Sequence, residues 1–188
     1  MKLICIGDSQ TYGFGVSPQQ RWTRLLASRC GIDTENRGVN GDTTGGMLVR
    51  LNALLGSRDV CDCVFFIMGG GNDIFFSGTD RQARANLAAM TQHVLAAGAL
   101  PLVGIMPQIT PALCPPDWGM VVDFDNAERL VSEYREWLRS YCTAFNIASV
   151  DFGGLDRGCF TDGLHPDGSG HSAMADILYS KLHEMGLI

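Results

Sequence analysis

Short apolar runs alternate with stretches of helical period along this chain, and that alternation leaves few folds open. Residues 2–6, 61–68, 100–106 and 147–152 are brief runs rich in branched or aromatic apolar residues, and a further short run precedes Asn36. Each reads as a buried strand. Between them lie stretches with apolar residues at helical spacing. The first predicted helix begins at Ser17-Pro18, serine as cap and proline in the first turn, and runs through Trp22 and Leu26 to Cys30, where Gly31 stops it. Others cover 46–55, 80–97, 126–145 and 168–184. Strands separated by helices imply a parallel sheet with right-handed crossovers and helices on both faces. The expectation is an α/β fold: one domain over residues 1–188, a three-layer α/β/α sandwich on a five-stranded parallel sheet. No internal repeat, low-complexity tract or interdomain linker interrupts it.

Composition narrows the function. The chain is 46% hydrophobic and 18% charged, so it is globular rather than disordered. Its net charge is −6 and its only lysines are Lys2 and Lys181, without a basic run. Nucleic-acid binding, which draws its affinity from cations on phosphates, is not expected. No apolar run approaches membrane-spanning length, so no stable membrane association is expected either. Met1 leads straight into the first strand, which points to the cytoplasm. Seven cysteines, an odd number without paired metal spacing, read as free thiols, with Cys61 and Cys63 on one face of one strand. No His/carboxylate cluster has metal spacing, and neither metal nor cofactor is expected. Oligomeric state is not legible.

Candidate chemistry sits where apolar runs end. The first run stops at Gly7-Asp8-Ser9, and the carboxyl end of the first strand is where α/β sheets bind ligands. Ser9 is a candidate nucleophile, although Gly-Asp-Ser is also ordinary turn chemistry. A serine hydroxyl needs an imidazole to take its proton, and the imidazole needs a partner to hold its tautomer. Asp162 and His165, three residues apart in a Gly- and Asp-rich loop, fit those two roles; the competing reading is an Asx turn with a solvated histidine. Gly41 lets the backbone approach a ligand and offers an N–H. Asn72, after the strongest strand, can donate through its side chain without adding charge, which suits a developing oxyanion. For both segments the competing role is a helix cap.

These four segments resemble, in order and approximate spacing, the four sequence blocks of the SGNH (GDSL-type) hydrolases: Gly7-Asp8-Ser9, Gly41, Gly70-Gly71-Asn72-Asp73 and Asp162-Gly163-Leu164-His165. The resemblance implies a flavodoxin-like fold. It also implies hydrolysis of small or single-chain carboxylic esters or thioesters by a Ser9-His165-Asp162 triad, with an oxyanion hole from Ser9, Gly41 and Asn72. The first block departs from the family at one place, with Gln10 where a leucine is usual, and no change in the nucleophile's chemistry is expected from it. Two alternatives remain: a carbohydrate O-deacetylase, and a catalytically silent ligand-binding module.

One segment breaks the alternation. Residues 108–125 carry Pro111, Pro115, Pro116 and Trp118 among apolar residues without clear period. A long irregular loop at the catalytic end of a sheet is expected either to wall or lid the site or to pack as surface loop. Trp118 and Met120 are its candidate substrate contacts, with Phe75 (and Phe76 beside it) from the segment after Asn72. Short loops elsewhere point to a shallow site. His93, His171 and His183 lack partner motifs.

Overall fold

Five strands, β1 (Lys2–Gly7), β2 (Asp33–Gly38), β3 (Cys63–Met68), β4 (Leu100–Ile105) and β5 (Ala148–Asp151), form one parallel sheet in the order β2-β1-β3-β4-β5 in the computed structural model, which describes residues 1–188. The register is direct: Gly7 lies beside Gly38 on one side and Met68 on the other. The helices are α1 (Ser9–Tyr12), α2 (Trp22–Cys30), α3 (Thr44–Ser57), α4 (Gly71–Ser77), α5 (Arg81–Ala96), α6 (Phe124–Ala144) and α7 (Gly168–Glu184). The chain steps one way from β1 to β2 and the other way from β2 to β5. Right-handed crossovers therefore put α2 on one face and α3, α5 and α6 on the other. The packing agrees: α2 lies against α7, while α3 packs on α5 and α5 on α6. The expected three-layer α/β/α architecture is what forms.

The middle strands are covered on both faces, so they are apolar throughout rather than alternating. Phe65, Phe66 and Ile67 of β3 and Leu3, Ile4 and Ile6 of β1 have no exposed surface. Phe66 packs edge-on against Trp22 at 5.0 Å and Phe152 at 6.2 Å, joining sheet to helix layer. Burying each such side chain contributes about 1.5–3 kcal/mol. The reversal of strand order opens a crevice between the carboxyl ends of β1 and β3, the place where open α/β sheets bind ligands.

Three local expectations change. The helix read from Ser17 to Cys30 is two pieces, a 3-10 turn Pro18–Gln20 and α2, with Arg21 extended between them. The break has a cause: the Trp22 N–H is donated to His171 Nδ1 on α7, at 3.3 Å, instead of continuing a helical ladder. Cys61 lies in the exposed turn before β3 and so does not share a strand face with Cys63. The short helix α1 is not among the expected helices, and α4 forms where a helix cap is the competing role for the Asn72 segment, with Gly70 as the cap and Asn72 in the first turn. All seven cysteines are unpaired, and no helix is long and apolar enough to cross a membrane.

Candidate active site

Asp8 follows β1 and caps α1, its Oδ1 accepting from the Gln10 N–H at 3.0 Å. Ser9 is thereby the first residue of a helix, with its own N–H given to no acceptor in the chain. Its Oγ lies 2.9 Å from His165 Nε2, across 156 residues of sequence. His165 Nδ1 lies 2.8 Å from Asp162 Oδ2. The other Asp162 oxygen accepts from the Leu164 and His165 N–H groups at 3.1 and 2.8 Å. Burial works against the Asp162 charge, but the His165 ring and these two N–H groups hold its carboxyl below the usual carboxylate value. An ionised carboxylate only accepts, so Nδ1 carries the imidazole proton and Nε2 is free to accept from the serine hydroxyl. The ring packs against Phe14 at 4.6 Å and, edge-on, against Trp118 at 6.2 Å.

A second group of residues converges from β2, α3 and α4. Gly41 is left-handed (φ +72°), a conformation that suits glycine, and its N–H finds no acceptor in the chain. Asn72 lies in the first turn of α4 and donates one amide hydrogen to the Asp42 carbonyl at 2.8 Å, which leaves its second hydrogen unused. Asp42 is itself held by Arg50, whose Nε and Nη2 reach its Oδ2 at 2.9 and 2.5 Å. Arg50 also donates to the Gly7 carbonyl at 3.0 Å and to the Arg37 carbonyl, so one guanidinium ties the ends of β1 and β2 to the Gly41 turn. The buried Asp73 carboxylate accepts from Thr44 N and Thr44 Oγ1 at 2.8 and 2.6 Å, which joins α4 to α3. Tyr134 donates to Gly69 O at 3.2 Å and braces the turn before Asn72.

Ser9, Gly41, Asn72 and His165 all line one cavity of ≈ 300 Å³. Asp162 stands behind the imidazole. Most of the remaining wall is apolar, and no lysine or arginine lines it. Phe75, Phe76 and Trp118 line it. Met120 does not: it ends a 3-10 turn, and its neighbours Val121, as exposed as Met120 at 79%, and the half-buried Val122 line the cavity in its place. A turn that ends at Met120 points its neighbours differently from any regular period, so residue type alone could not select among them. Sequence reasoning also missed Phe14 and Arg50. An arginine near a Gly-rich turn is the only signal the latter offers.

Two buried titratable groups flank the site. Asp8 lines the cavity, and burial pushes its carboxyl up to about 6, against the pull of the Gln10 N–H and His165. His171 is fully buried, and burial pushes its imidazole down to about 4, with Arg21 and His165 adding to the shift and Asp167 opposing it. No three His, Cys, Asp or Glu side chains are gathered as a metal site would require.

The geometry has counterparts. A family model described as the GDSL-like lipase/acylhydrolase family matches residues 5–173. Esterase TesA of Pseudomonas aeruginosa is 30% identical over 175 residues, covering 87% of this chain and 79% of the relative. Among solved structures, the aryl esterase of M. smegmatis superposes with a TM-score of 0.83 at 20% identity, over 97% of this chain and 98% of that one. A carbohydrate acetylesterase family member from Sinorhizobium meliloti superposes with a TM-score of 0.82 at 20% identity, over 100% and 99%. At such identities the two structures speak for the fold.

Proposed function

The chain belongs to the GDSL-like lipase/acylhydrolase family and is a carboxylic ester hydrolase, and we propose that it works by two-step acyl transfer through Ser9. His165 Nε2 takes the Ser9 proton as Oγ attacks the substrate carbonyl. Asp162 keeps the proton on Nδ1 and stabilises the imidazolium. The oxyanion is received by the Ser9 and Gly41 N–H groups and by the second amide hydrogen of Asn72. His165 then protonates the leaving group and activates the water that releases the acyl enzyme. The observation that carries this reading is the unbroken chain Asp162–His165–Ser9, at 2.8 and 2.9 Å, opening into the cavity that holds three uncommitted donors.

The substrate class follows from the lining. With no lysine or arginine in the wall, the cavity offers no fixed cation to a phosphate or carboxylate. Its apolar side suits an uncharged acyl chain, and ≈ 300 Å³ lies at the small end of ligand pockets, which run roughly 300–1,000 Å³. We therefore assign a short to medium single-chain ester or thioester, in preference to a sugar acetate, which would need more polar partners than Asp8, Asn40 and Asn72 supply. The test is hydrolysis of p-nitrophenyl esters of graded chain length, wild type beside Ser9→Ala. Loss of at least about 10⁴-fold in kcat is expected in the variant, with wild-type turnover peaking at short to medium acyl length. A folded Ser9→Ala protein with retained activity would remove the mechanism.

A further inference from the structure

The loop between β5 and α7 carries both Asp162 and His165, yet its only regular structure is the 3-10 turn Arg157–Cys159 and an isolated antiparallel bridge between Phe160 and Pro166. The bonds Thr161 N–H to His165 O (2.9 Å) and Asp167 N–H to Cys159 O (2.8 Å) shape the loop but do not set its distance from Ser9. Thr110 N–H to Gly163 O, at 2.9 Å, ties it to the 108–125 segment. Besides the Ser9–His165 contact itself, one hydrogen bond reaches from this loop to the helix that bears Ser9: Gln10 Nε2 donates to Leu164 O at 2.8 Å, buried at both ends. The pairs Ser9–His165 and Gln10–Leu164 are thus adjacent on both segments.

From this juxtaposition we infer that Gln10 is a positioning residue, which holds the His165 loop at proton-transfer distance from Ser9; the inference rests on the Ser9–His165 reading above. Gln10 is suited to the task because its own backbone is held. Its N–H goes to Asp8 Oδ1 and its carbonyl accepts from Trp22 Nε1 at 3.1 Å, and Trp22 has no exposed surface. Gln10 itself is 7% exposed, and no other donor in the chain reaches Leu164 O. A leucine at this position could not donate, so the tether depends on the glutamine by which this chain departs from the family's first block.

Misplacement of a reacting group by about 1 Å can cost on the order of 10²-fold in rate. Gln10→Met keeps the unbranched volume and removes the donor. Its kcat on p-nitrophenyl butyrate is expected to fall tenfold to a hundredfold, by about that reasoning, with KM changed by less than about twofold, because only the reacting geometry is loosened. Gln10→Leu serves as the second variant should Gln10→Met fail to fold. Thr91→Val is the control: it removes a buried bond to Tyr141 Oη (2.7 Å) on the far face, and should lower the melting temperature comparably while leaving kcat unchanged. Unchanged kcat in a folded Gln10 variant overturns the inference, as does an equal loss in Thr91→Val. Ser9→Ala, assayed alongside, separates the two failures: if it remains active the catalytic reading falls, and if it is dead while Gln10 variants are fully active only the positioning role falls.

Discussion

The two walls of the cavity are built from opposite chemistries. On the Gly41–Asn72 side, positions are held by directional bonds: Arg50 to Asp42, Gly7 and Arg37, Asn72 to Asp42, and Thr44 to Asp73. On the opposite side, Ile109, Trp118, Val121 and Val122 are held by turn bonds and apolar contact, and Val121 is 79% exposed. Hydrogen bonds specify angle and distance, whereas apolar contact specifies little beyond area and volume. The polar wall is therefore where a transition state can be matched to fractions of an ångström. The apolar wall is where substrate can be changed without touching the chemistry.

The sharpest way to break this contrast is Asn72→Ala. If Asn72 is one of the proposed oxyanion donors, its loss lowers kcat by about 10²–10³, to the same degree for every acyl length. A loss under tenfold, or one that varied with chain length, would merge the two walls. A smaller effect is expected from Asp8→Asn, also on the polar side. Burial raises the Asp8 carboxyl to about 6, above the ≈ 3.9 of an unfolded aspartate. The folded state therefore binds that proton more tightly. Its contribution to stability is full below about pH 4 and is lost as pH rises through about 6. Asparagine keeps the acceptor for the Gln10 N–H and never ionises. Chemical denaturation should find the variant more stable by about 2–3 kcal/mol at pH 7.5 and level with wild type near pH 4; a pH-independent difference would reject the buried-charge account. The smallest effect belongs to the apolar wall. Trp118→Ala should shift the ratio of kcat/KM between octanoate and acetate esters by about tenfold, with acetate turnover nearly unchanged. Equal losses on both esters would mean that Trp118 acts through His165, 6.2 Å from its ring, rather than through the acyl chain.

Much of the molecule was legible residue by residue. The bounds of α7, Gly168–Glu184, were readable because Asp167 caps it through local bonds to the Ser169 and Gly170 N–H groups. β1 and β3 were readable because a strand buried on both faces must be apolar throughout. The family blocks carried Ser9, Gly41, Asn72, Asp162 and His165, and the fold brings the first three together with His165 around one cavity. What escaped was whatever depended on a distant partner. The break at Arg21 depends on His171, and the exclusion of Met120 depends on how one 3-10 turn seats against the site. From sequence, Gln10 carries only the expectation that it leaves the nucleophile's chemistry unchanged, because nothing near it in the chain announces a carbonyl 154 residues away.

The sequence by itself determined the layered α/β plan and the inventory of reactive groups, since periodicity, caps and turn residues act over a few positions. Only the tertiary structure decided which of those groups face one another. The Ser9–His165 bond, the Arg50 clamp and the Gln10–Leu164 tether each join segments brought together by sheet order and crossover packing. A hydrogen bond is made or lost over a few tenths of an ångström, a precision that local pattern does not carry and a packed core does.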